Sequence, residues 1–507
     1  MTGVWAILAQ AATETTADAA EAATHTATDA ATTASNLLTR LSVFEGYIGV
    51  LIVSFVLTLF ATPIMRKLAV ANGVIDRPSD PRKVHRIPIA YLGGVAVFVG
   101  IVGGIFYSLL ALKLPWLIEW HPVKPAHLEE KYGVYHQHVP ISVLLGMTVI
   151  MIVGFLDDVF GISPRVKIGG QLFAAAALAY ENVGVKLAAG LLIPLADSLG
   201  IATKVIGGSP TILLNIPLPF PIAGADTIPI DVVYWAGTAI IAVAVLALCN
   251  ASNLIDGLDG LLSGTTAISS AGLLVVALGL AVVDDGPRDS QRIIMCLAVL
   301  GACLGFLPHN FNPATIFLGD AGSLLLGFCT CVIILTLGDK GQTHLVVAGL
   351  IIYALPILDT ALAIVRRKME GKSISAADDQ HLHHMLRRAF GVKGAVLCLY
   401  GIAASFAALG VGMSLVRARI IYLLAMILAA YIGVTAIKIA RRRAIEAQAA
   451  AYDKKPEPKV QTTITSPVVP APTPVATQSP ATSPTTVTAN VPVADAAAEP
   501  VEEPTAS

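Results

Sequence analysis

The stretch Asn250-Ala-Ser-Asn-Leu-Ile-Asp-Gly-Leu-Asp-Gly-Leu261 places two amides and two carboxylates between two apolar runs, Val232–Cys249 and Leu261–Val283. Both runs are long enough to cross a membrane, and polar side chains are costly inside hydrocarbon. Gly257 and Gly260 allow a tight turn or the close approach of a ligand to the backbone. The stretch therefore predicts two membrane spans that are joined either by a phosphate or metal site or by a simple polar turn.

The composition is that of a polytopic membrane protein. Of the 507 residues, 55% are hydrophobic and only 13% are charged, and the mean hydropathy is +0.74. A net charge of -1 argues against bulk nucleic-acid binding. The six cysteines lie in apolar runs or at their ends, so we expect small buried thiols rather than a disulfide framework or a zinc ribbon.

The two ends of the chain differ from its middle. Residues 1–45 are an Ala/Thr-rich tail and residues 441–507 a Pro/Thr/Ala-rich tail, and we expect both to be disordered because they lack the side chains for a core. Between them, residues 46–440 are predicted to form an all-α, polytopic integral membrane domain of about eleven transmembrane helices. Residues 186–230 are expected to form a loop or small hairpin. The predicted spans lie near residues 46–65, 89–112, 139–156, 167–185, 231–249, 261–283, 293–311, 321–338, 343–365, 395–415 and 419–438.

The distribution of positive charge predicts the orientation of these spans. Lysine and arginine concentrate in the loops after the first, ninth and eleventh spans, and the positive-inside rule assigns those loops to the cytoplasm. The N-terminus is then outside and the C-terminal tail cytoplasmic. Every polar motif falls at a loop after an odd-numbered span. We therefore predict that the motifs gather at the cytoplasmic face of the membrane.

Three further motifs belong to this set, and each has a simpler alternative. Asp157 and Asp158 end the third span, where two adjacent like charges are unfavourable without a bound cation or a functional role. A solvated helix end has the same pattern. The segment Phe317-Leu-Gly-Asp-Ala-Gly-Ser323 fits either a metal site or a turn with a helix cap. The segment His381-Leu-His-His384 favours phosphate contact over zinc, because no cysteine and no metalloprotease glutamate accompanies it. The basic residues around Lys83 are also explained by membrane topology alone.

Together these motifs resemble those of the polyprenyl-phosphate N-acetylhexosamine-1-phosphate transferase family (glycosyltransferase 4, MraY/WecA type). The resemblance covers roughly residues 46–440 and has four motifs in family order. The segments Asp76-Arg-Pro and Arg82-Lys-Val-His85 resemble the branch that uses UDP-N-acetylglucosamine (UDP-GlcNAc). The peptidoglycan-precursor branch usually has three contiguous histidines, which this chain lacks.

The resemblance implies transfer of GlcNAc-1-phosphate from UDP-GlcNAc to undecaprenyl or another polyprenyl phosphate. The products would be polyprenyl-diphosphate-GlcNAc and UMP, in the first step of a cell-envelope polysaccharide pathway such as that of lipopolysaccharide or teichoic acid. The implied cofactor is Mg²⁺, with Mn²⁺ as the alternative ion. Implied partners are the UDP-sugar, the lipid and the inner (plasma) membrane, with a homodimer as an optional assembly and no nucleic acid.

The resemblance also implies roles for individual residues, carried over by motif match. Asp157 would be the base or the acceptor-side carboxylate, supported by Asp158, and the third catalytic candidate is Asp256. Asp320 and Asn253 are the candidate metal ligands. The candidate substrate contacts are Lys83, Asn250, Gly257, Leu258, Asp259, Phe317, His381, His383 and His384. Asp359, an acid inside the ninth predicted span, receives no role.

Three alternatives differ in substrate or in class. Transfer of phospho-MurNAc-pentapeptide, or use of another UDP-HexNAc donor, keeps the chemistry and changes the sugar. A membrane transporter is the rival of a different class, but transport sites lie near the bilayer midplane and these acids gather at span ends. A phospholipid-synthesising alcohol phosphotransferase would need an Ala-Arg pair soon after Asp256-Gly257, which the chain lacks.

Overall fold

A computed structural model describes residues 40–76, 88–120, 138–206, 209–222, 225–283, 288–369, 371, 373, 381–415, 423–435, 437–438 and 442. Lys83 and nearly all of the two predicted tails lie outside this set. The first helix already includes Arg40, so the predicted start of the first span at residue 46 is several residues late.

The described chain is mostly helical, which confirms the predicted fold class. The apolar runs form helices because the backbone groups of a spanning segment must be hydrogen-bonded within the segment. The helices are α1 (Arg40–Ala71), α2 (Gly93–Ala111), α3 (Ile141–Phe160), α4 (Pro164–Tyr180), α5 (Leu187–Ser198), α6 (Val232–Ile255), α7 (Leu261–Val282), α8 (Asp289–Asn310), α9 (Gly319–Leu337), α10 (Thr343–Ile352), α11 (Ala354–Met369), α12 (Leu382–Leu415) and α13 (Leu423–Thr435).

Short antiparallel strand pairs lie between the helices. The pair β1 (Ile75–Asp76) and β2 (Ile89–Ala90) precedes α2. Residues 186–230, predicted to be a loop or small hairpin, form two antiparallel strand pairs and also contain α5, which the sequence did not predict. The strands are β3 (Lys204–Ile206), β4 (Ser209–Thr211), β5 (Leu213–Ile222) and β6 (Ala225–Asp231), paired β3 with β4 and β5 with β6.

The predicted count of eleven spans is not confirmed. Among the described residues, eight helices are long and apolar enough to cross a membrane, and the bent pair α10 and α11 adds a ninth if it forms one span. The predicted span 167–185 corresponds to α4, which has 17 residues and ends at Tyr180. The predicted span 419–438 corresponds to the short apolar helix α13. The number, length and apolar composition of these helices are those of a multi-pass membrane protein.

Helix α9 lies at the centre of the helical bundle. It packs against α2, α3 and α6 along its length, and 94% of its apolar window is buried inside the protein. By contrast, only 22% of the corresponding window of α1 is buried, and α1 leaves large apolar side chains such as Phe60 and Ile64 exposed. The N-terminus of α9 carries Asp320, so the fold surrounds this carboxylate with other helices.

All six cysteines are free. The expectation of buried thiols is confirmed for five of them and is wrong for Cys398, which is exposed. Cys398 lies on α12, a helix with only 33% of its apolar window buried inside the protein. An apolar run therefore did not distinguish a thiol in the core from one on the outer, apolar surface of the bundle.

The end of α9 remote from Asp320 is closed by a buried ionic network. Arg292 donates to the carbonyl of Thr336 from Nε and Nη2 and to Asp289 Oδ1 at 2.7 Å from Nη1. Arg288 Nε lies 3.2 Å from both carboxylate oxygens of Asp339. Because α9 ends at Leu337, these arginines also satisfy groups at a helix C-terminus, where cations are favoured.

Replacing Arg288 with alanine is expected to destabilise the protein by about 3 to 5 kcal/mol, because Asp339 would be left as a buried charge without this partner. The measurement is the thermal unfolding midpoint in detergent micelles. The double variant Arg288→Met with Asp339→Leu is the control and should recover most of the loss, since it removes both charges. An unfolding midpoint of Arg288→Ala equal to that of the wild type would contradict the prediction.

Candidate active site

Two carboxylates and one ammonium group converge where α3, α4 and α9 meet. Lys167, in the first turns of α4, places Nζ 2.6 Å from Asp157 Oδ2 and 2.5 Å from Asp320 Oδ2. All three side chains are about one-fifth exposed, between 17% and 25%, so the group is open to solutes. Two carboxylates held this close together require a cation between them.

Asn253 of α6 completes the surroundings of Asp320. Its Nδ2 donates to Asp320 Oδ1 at 2.8 Å and to Ser323 Oγ at 3.0 Å. With the amide nitrogen used in this way, Oδ1 is the atom of Asn253 that could ligate a metal. The predicted roles of Asp320 and Asn253 as metal ligands remain predictions, and the two side chains are in direct contact.

Asp158 caps the N-terminus of α9. Its Oδ1 accepts a hydrogen bond from Asp320 N at 2.8 Å and its Oδ2 accepts one from Ala321 N at 3.0 Å. A carboxylate at a helix N-terminus satisfies free N–H groups and interacts favourably with the helix dipole. Gly319 has a φ of 70° and packs against Asp158, so this position requires glycine. The adjacent aspartates therefore have different surroundings, which the sequence pattern did not predict.

The loop 256–260 between α6 and α7 carries two more of the predicted carboxylates. Burial, together with the negative charges of Asp320, Asp158 and Asp259, raises the pKa of Asp256 to about 8. Asp259 Oδ2 accepts from Asn312 Nδ2 at 2.8 Å and from the backbone N–H of Ala314 at 3.1 Å. Asp259 therefore anchors the loop before α9, in addition to the role that the motif implied for it.

Two residues that the sequence analysis did not single out, Asn310 and Tyr400, hold Gly260 in place. Asn310 Oδ1 accepts from Gly260 N at 3.1 Å and from Ser263 Oγ at 2.9 Å. The hydroxyl of Tyr400, from α12, donates to the carbonyl of Gly260 at 2.5 Å. Nothing in the spacing of Asn310 or Tyr400 along the sequence signals these contacts, because each residue lies in a different helix from the loop.

The other predicted contacts lie around the same end of the bundle. Asn250 Nδ2 donates to Gln171 Oε1 at 2.9 Å, which ties α6 to α4. Leu258 is buried. Phe317 is joined through its backbone to the start of α2, because its N–H donates to Ala90 and its carbonyl accepts from Gly93. Lys83 lies outside the described residues.

The three histidines form a second polar cluster, built around the buried carboxylate of Asp359 on α11. His381 Nδ1 lies 2.9 Å from Asp359 Oδ2, and the backbone N–H of Leu382 donates to Asp359 Oδ1 at 2.8 Å. His383 Nδ1 lies 3.7 Å from the same Oδ2. The rings of His381 and His383 are stacked, and the ring centroid of His384 lies 4.2 Å from that of His383.

The histidine cluster and the loop 256–260 meet at Gly257. A Cβ added at Gly257 would collide with Nε2 of His383, so only glycine allows this approach. We expect Gly257→Ala to lower kcat/KM about tenfold or more, because overpacking of this kind costs about 1 to 3 kcal/mol. Initial-rate kinetics on the purified variant test this. Gly401→Ala on α12, where the added Cβ meets nothing, should retain the wild-type rate, and a wild-type rate for both variants would contradict the collision.

Among the described residues, two groups of side chains at this end of the bundle offer metal donors. Asp157 and Asp320 present carboxylate oxygens around one cation position, and oxygen donors suit hard divalent ions. Asp359, His381 and His383 offer one oxygen and two nitrogens within 4.8 Å of one another. In that second group the two nitrogen donors suit transition metals better than a hard ion such as Mg²⁺. The carboxylate pair is therefore the better place for a cation that contacts a phosphate.

Lys167 and Asp359 are two charged residues at this end of the bundle to which the sequence analysis gave no role. Lys167 could have been identified as a basic residue in the first turn of the helix that follows Asp157 and Asp158. Asp359 could have been identified because a single acid inside an apolar span needs a partner. The pairing of each residue depends on the packing of separate helices, so neither partner could be named.

Comparison with known proteins gives a consistent result. Residues 140–338 match the sequence model of glycosyl transferase family 4. The chain is 31% identical over 358 residues to a probable undecaprenyl-phosphate N-acetylglucosaminyl 1-phosphate transferase of Bacillus subtilis, an alignment that covers 70% of this chain and 81% of that protein. It is 32% identical over 372 residues to a decaprenyl-phosphate N-acetylglucosaminephosphotransferase of Mycobacterium tuberculosis, covering 70% and 80% of the two chains. It is 31% identical over 355 residues to an undecaprenyl-phosphate alpha-N-acetylglucosaminyl 1-phosphate transferase of Escherichia coli, covering 68% and 78%.

Proposed function

The chain belongs to glycosyl transferase family 4, and we propose that it transfers GlcNAc-1-phosphate from UDP-GlcNAc to undecaprenyl phosphate or another polyprenyl phosphate. In the net reaction an oxygen of the lipid phosphate becomes bonded to the phosphorus that carries the sugar, either by direct attack or after an aspartate has formed a covalent intermediate with that phosphorus. The bond from that phosphorus to the bridging oxygen breaks, and UMP leaves. The product is polyprenyl-diphosphate-GlcNAc, the starting lipid of a cell-envelope polysaccharide.

The observation that carries the proposal is the convergence of Asp157 and Asp320 on one cation position. Donor and acceptor are both anions, so the barrier is largely one of charge repulsion and positioning. The oxygen donors of Asp157, Asp320 and Asn253 fit Mg²⁺, or Mn²⁺ as the alternative. When bound, such an ion neutralises the diphosphate oxygens and orients them for displacement.

The remaining polar side chains bind and orient the reactants. Lys167 is the cation already located between the two carboxylates, and its Nζ is close enough to donate to a phosphate oxygen near them. Asp158 fixes the start of α9 and with it the direction of Asp320. Asp256 and Asn250 line the same end of α6, with Asp256 a candidate for holding a proton near neutral pH.

The donor is expected to bind along the loop 256–260 and the histidine cluster. Gly257, Leu258 and Phe317 would contact the uridine, with Asp259 supporting the loop. His381, His383 and His384 would contact phosphate or sugar, as would Lys83. The reaction takes place at the cytoplasmic face of the inner membrane, where UDP-sugars are available and the acceptor lipid can enter from the bilayer. A homodimer is the proposed optional assembly.

The experiment uses the purified full chain in detergent with undecaprenyl phosphate, UDP-GlcNAc and Mg²⁺, and measures UMP together with the lipid-linked sugar. EDTA is the control for the metal. UMP and glycolipid in equal amounts, both abolished by EDTA and restored by Mg²⁺, are the expected result. UDP-MurNAc-pentapeptide in place of UDP-GlcNAc is expected to give no product.

Two outcomes would change the proposal. Activity with another UDP-HexNAc but not with UDP-GlcNAc would support the proposed reaction and change the proposed donor. No UMP with any donor would overturn the transferase. The relatives named above are N-acetylglucosaminyl enzymes, which supports UDP-GlcNAc over the muramoyl donor and a transferase over a transporter.

A further inference from the structure

We propose that Asp359 is a positioning residue, which orients the imidazoles of His381 and His383 toward the donor loop at Gly257. The inference rests on the proposed function, because it assigns to these histidines the binding of the anionic UDP-sugar. Asp359 itself lies beneath the histidines on α11, and its side chain is fully buried. It does not contact the reactants and acts through the two rings.

The burial of Asp359 is the first argument. A carboxylate with no solvent exposure is strongly destabilising unless each oxygen is hydrogen-bonded or paired. Oδ1 accepts the N–H of Leu382 at 2.8 Å, and Oδ2 faces Nδ1 of His381 at 2.9 Å. A serine or asparagine would suffice to cap the start of α12. The negative charge of a carboxylate is needed only for the contact with the histidines.

The direction of the two rings is the second argument. Both His381 and His383 turn Nδ1 toward the same carboxylate oxygen, at 2.9 and 3.7 Å. The Nδ1 atom of His383 is buried and has no hydrogen-bond partner within the described part of the chain. An ionised carboxylate only accepts hydrogen bonds, so it selects the proton on Nδ1 of His381 and fixes the tautomer of that ring.

The position of the opposite nitrogen is the third argument. The two nitrogens of an imidazole lie on different edges of the ring, so a ring that turns Nδ1 inward directs Nε2 away from Asp359. For His383 that edge lies against Gly257, in the loop that also holds Asp256 and Asp259. Asp359 on α11 is thereby linked through His383 to a loop between α6 and α7. The arrangement aims an imidazole at the place where the donor is proposed to bind.

The test compares Asp359→Asn with the double variant His381→Gln/His383→Gln and with the triple variant that combines all three substitutions. Asparagine keeps the shape and an oxygen for Leu382 N–H, but its NH₂ group would face Nδ1 of His381 and favour the wrong tautomer. We expect the KM for UDP-GlcNAc to rise about 10- to 100-fold, as for other carboxylates that orient a histidine, with the KM for the lipid unchanged. The triple variant should be no worse than His381→Gln/His383→Gln, because Asp359 acts through these two rings.

The readout separates positioning from general destabilisation. KM does not depend on the fraction of active protein, so partial unfolding of Asp359→Asn lowers the rate and leaves KM at the wild-type value. Asp197→Asn, an exposed aspartate on α5, is the matched control and should keep both KM values. An unchanged donor KM in Asp359→Asn, or a further rise in donor KM when Asp359→Asn is added to His381→Gln/His383→Gln, would overturn the proposal.

Two further results keep the test decisive. If Asp359→Asn gives no folded protein, the donor KM is measured for His381→Gln and His383→Gln instead. A wild-type donor KM in both variants would overturn the inference. Wild-type protein that releases no UMP from UDP-GlcNAc would overturn the proposed function instead. The two failures are therefore distinguishable by whether the unmodified enzyme is active.

Discussion

Replacing Asp320 with asparagine is expected to reduce kcat about a thousandfold, because the loss of a metal-ligating charge removes several kcal/mol of transition-state stabilisation. The variant is nearly isosteric and keeps an oxygen for Asn253, which donates to Asp320 Oδ1 at 2.8 Å. It also leaves the backbone N–H groups of Asp320 and Ala321 in place for Asp158. The fold should therefore survive while the cation position loses one of its two carboxylates.

The measurement is UMP release by Asp320→Asn and by wild-type protein, with membrane insertion and the elution profile in detergent compared in parallel. Asp197→Asn removes an exposed carboxylate of the same kind from α5 and should leave the rate unchanged. Raising the Mg²⁺ concentration should recover little activity. A rate for Asp320→Asn within about threefold of the wild-type rate would correspond to a change of less than about 1 kcal/mol in activation free energy. Such a result would remove Asp320 from the mechanism.

Replacing Lys167 with methionine is expected to lower kcat about a hundredfold, a loss of about 3 kcal/mol. The ammonium group lies 2.6 Å from Asp157 Oδ2 and 2.5 Å from Asp320 Oδ2, so its removal leaves two carboxylates facing each other. Like charges at this distance favour protonation of one of them, which weakens both as ligands. Methionine keeps most of the length and apolar volume of the lysine stem.

The Mg²⁺ dependence of Lys167→Met distinguishes two roles for this side chain. If Lys167 binds phosphate during transfer, kcat falls and additional Mg²⁺ does not restore it. If Lys167 only competes with the metal for the carboxylates, kcat is kept and half-maximal activity occurs at a lower Mg²⁺ concentration, which would contradict our prediction. Lys204→Met, which replaces an exposed lysine on β3, is the control.

Much of the architecture followed from local properties of the sequence. The length of an apolar run is set by the thickness of the bilayer, so eight predicted spans coincide with helices long enough to cross a membrane. The count failed where this signal is weak, at α4 and α13. The relation between Asp157, Asn253 and Asp320 was also predictable, since span parity put their loops on one side and these side chains now meet.

The roles of individual charges were less predictable. Asp157 and Asp158 are neighbours in the sequence, yet one contacts Lys167 and the other caps α9. Adjacent residues in a helix point in different directions, and the direction that reaches α9 depends on how α3 packs against it. The motif could therefore indicate a functional pair but not which member binds a cation.

By itself, the sequence determined that this chain is a multi-pass helical membrane protein and which of its loops carry the polar motifs. Those properties depend on hydrophobic length and on charge near each span, which are local. Only the tertiary structure decided that Lys167 lies between Asp157 and Asp320, 153 positions from the latter, and that Asp359 lies beneath His381. Such contacts form because separate helices pack together and bury charges that must then be paired, and no local pattern encodes which partner will be reached.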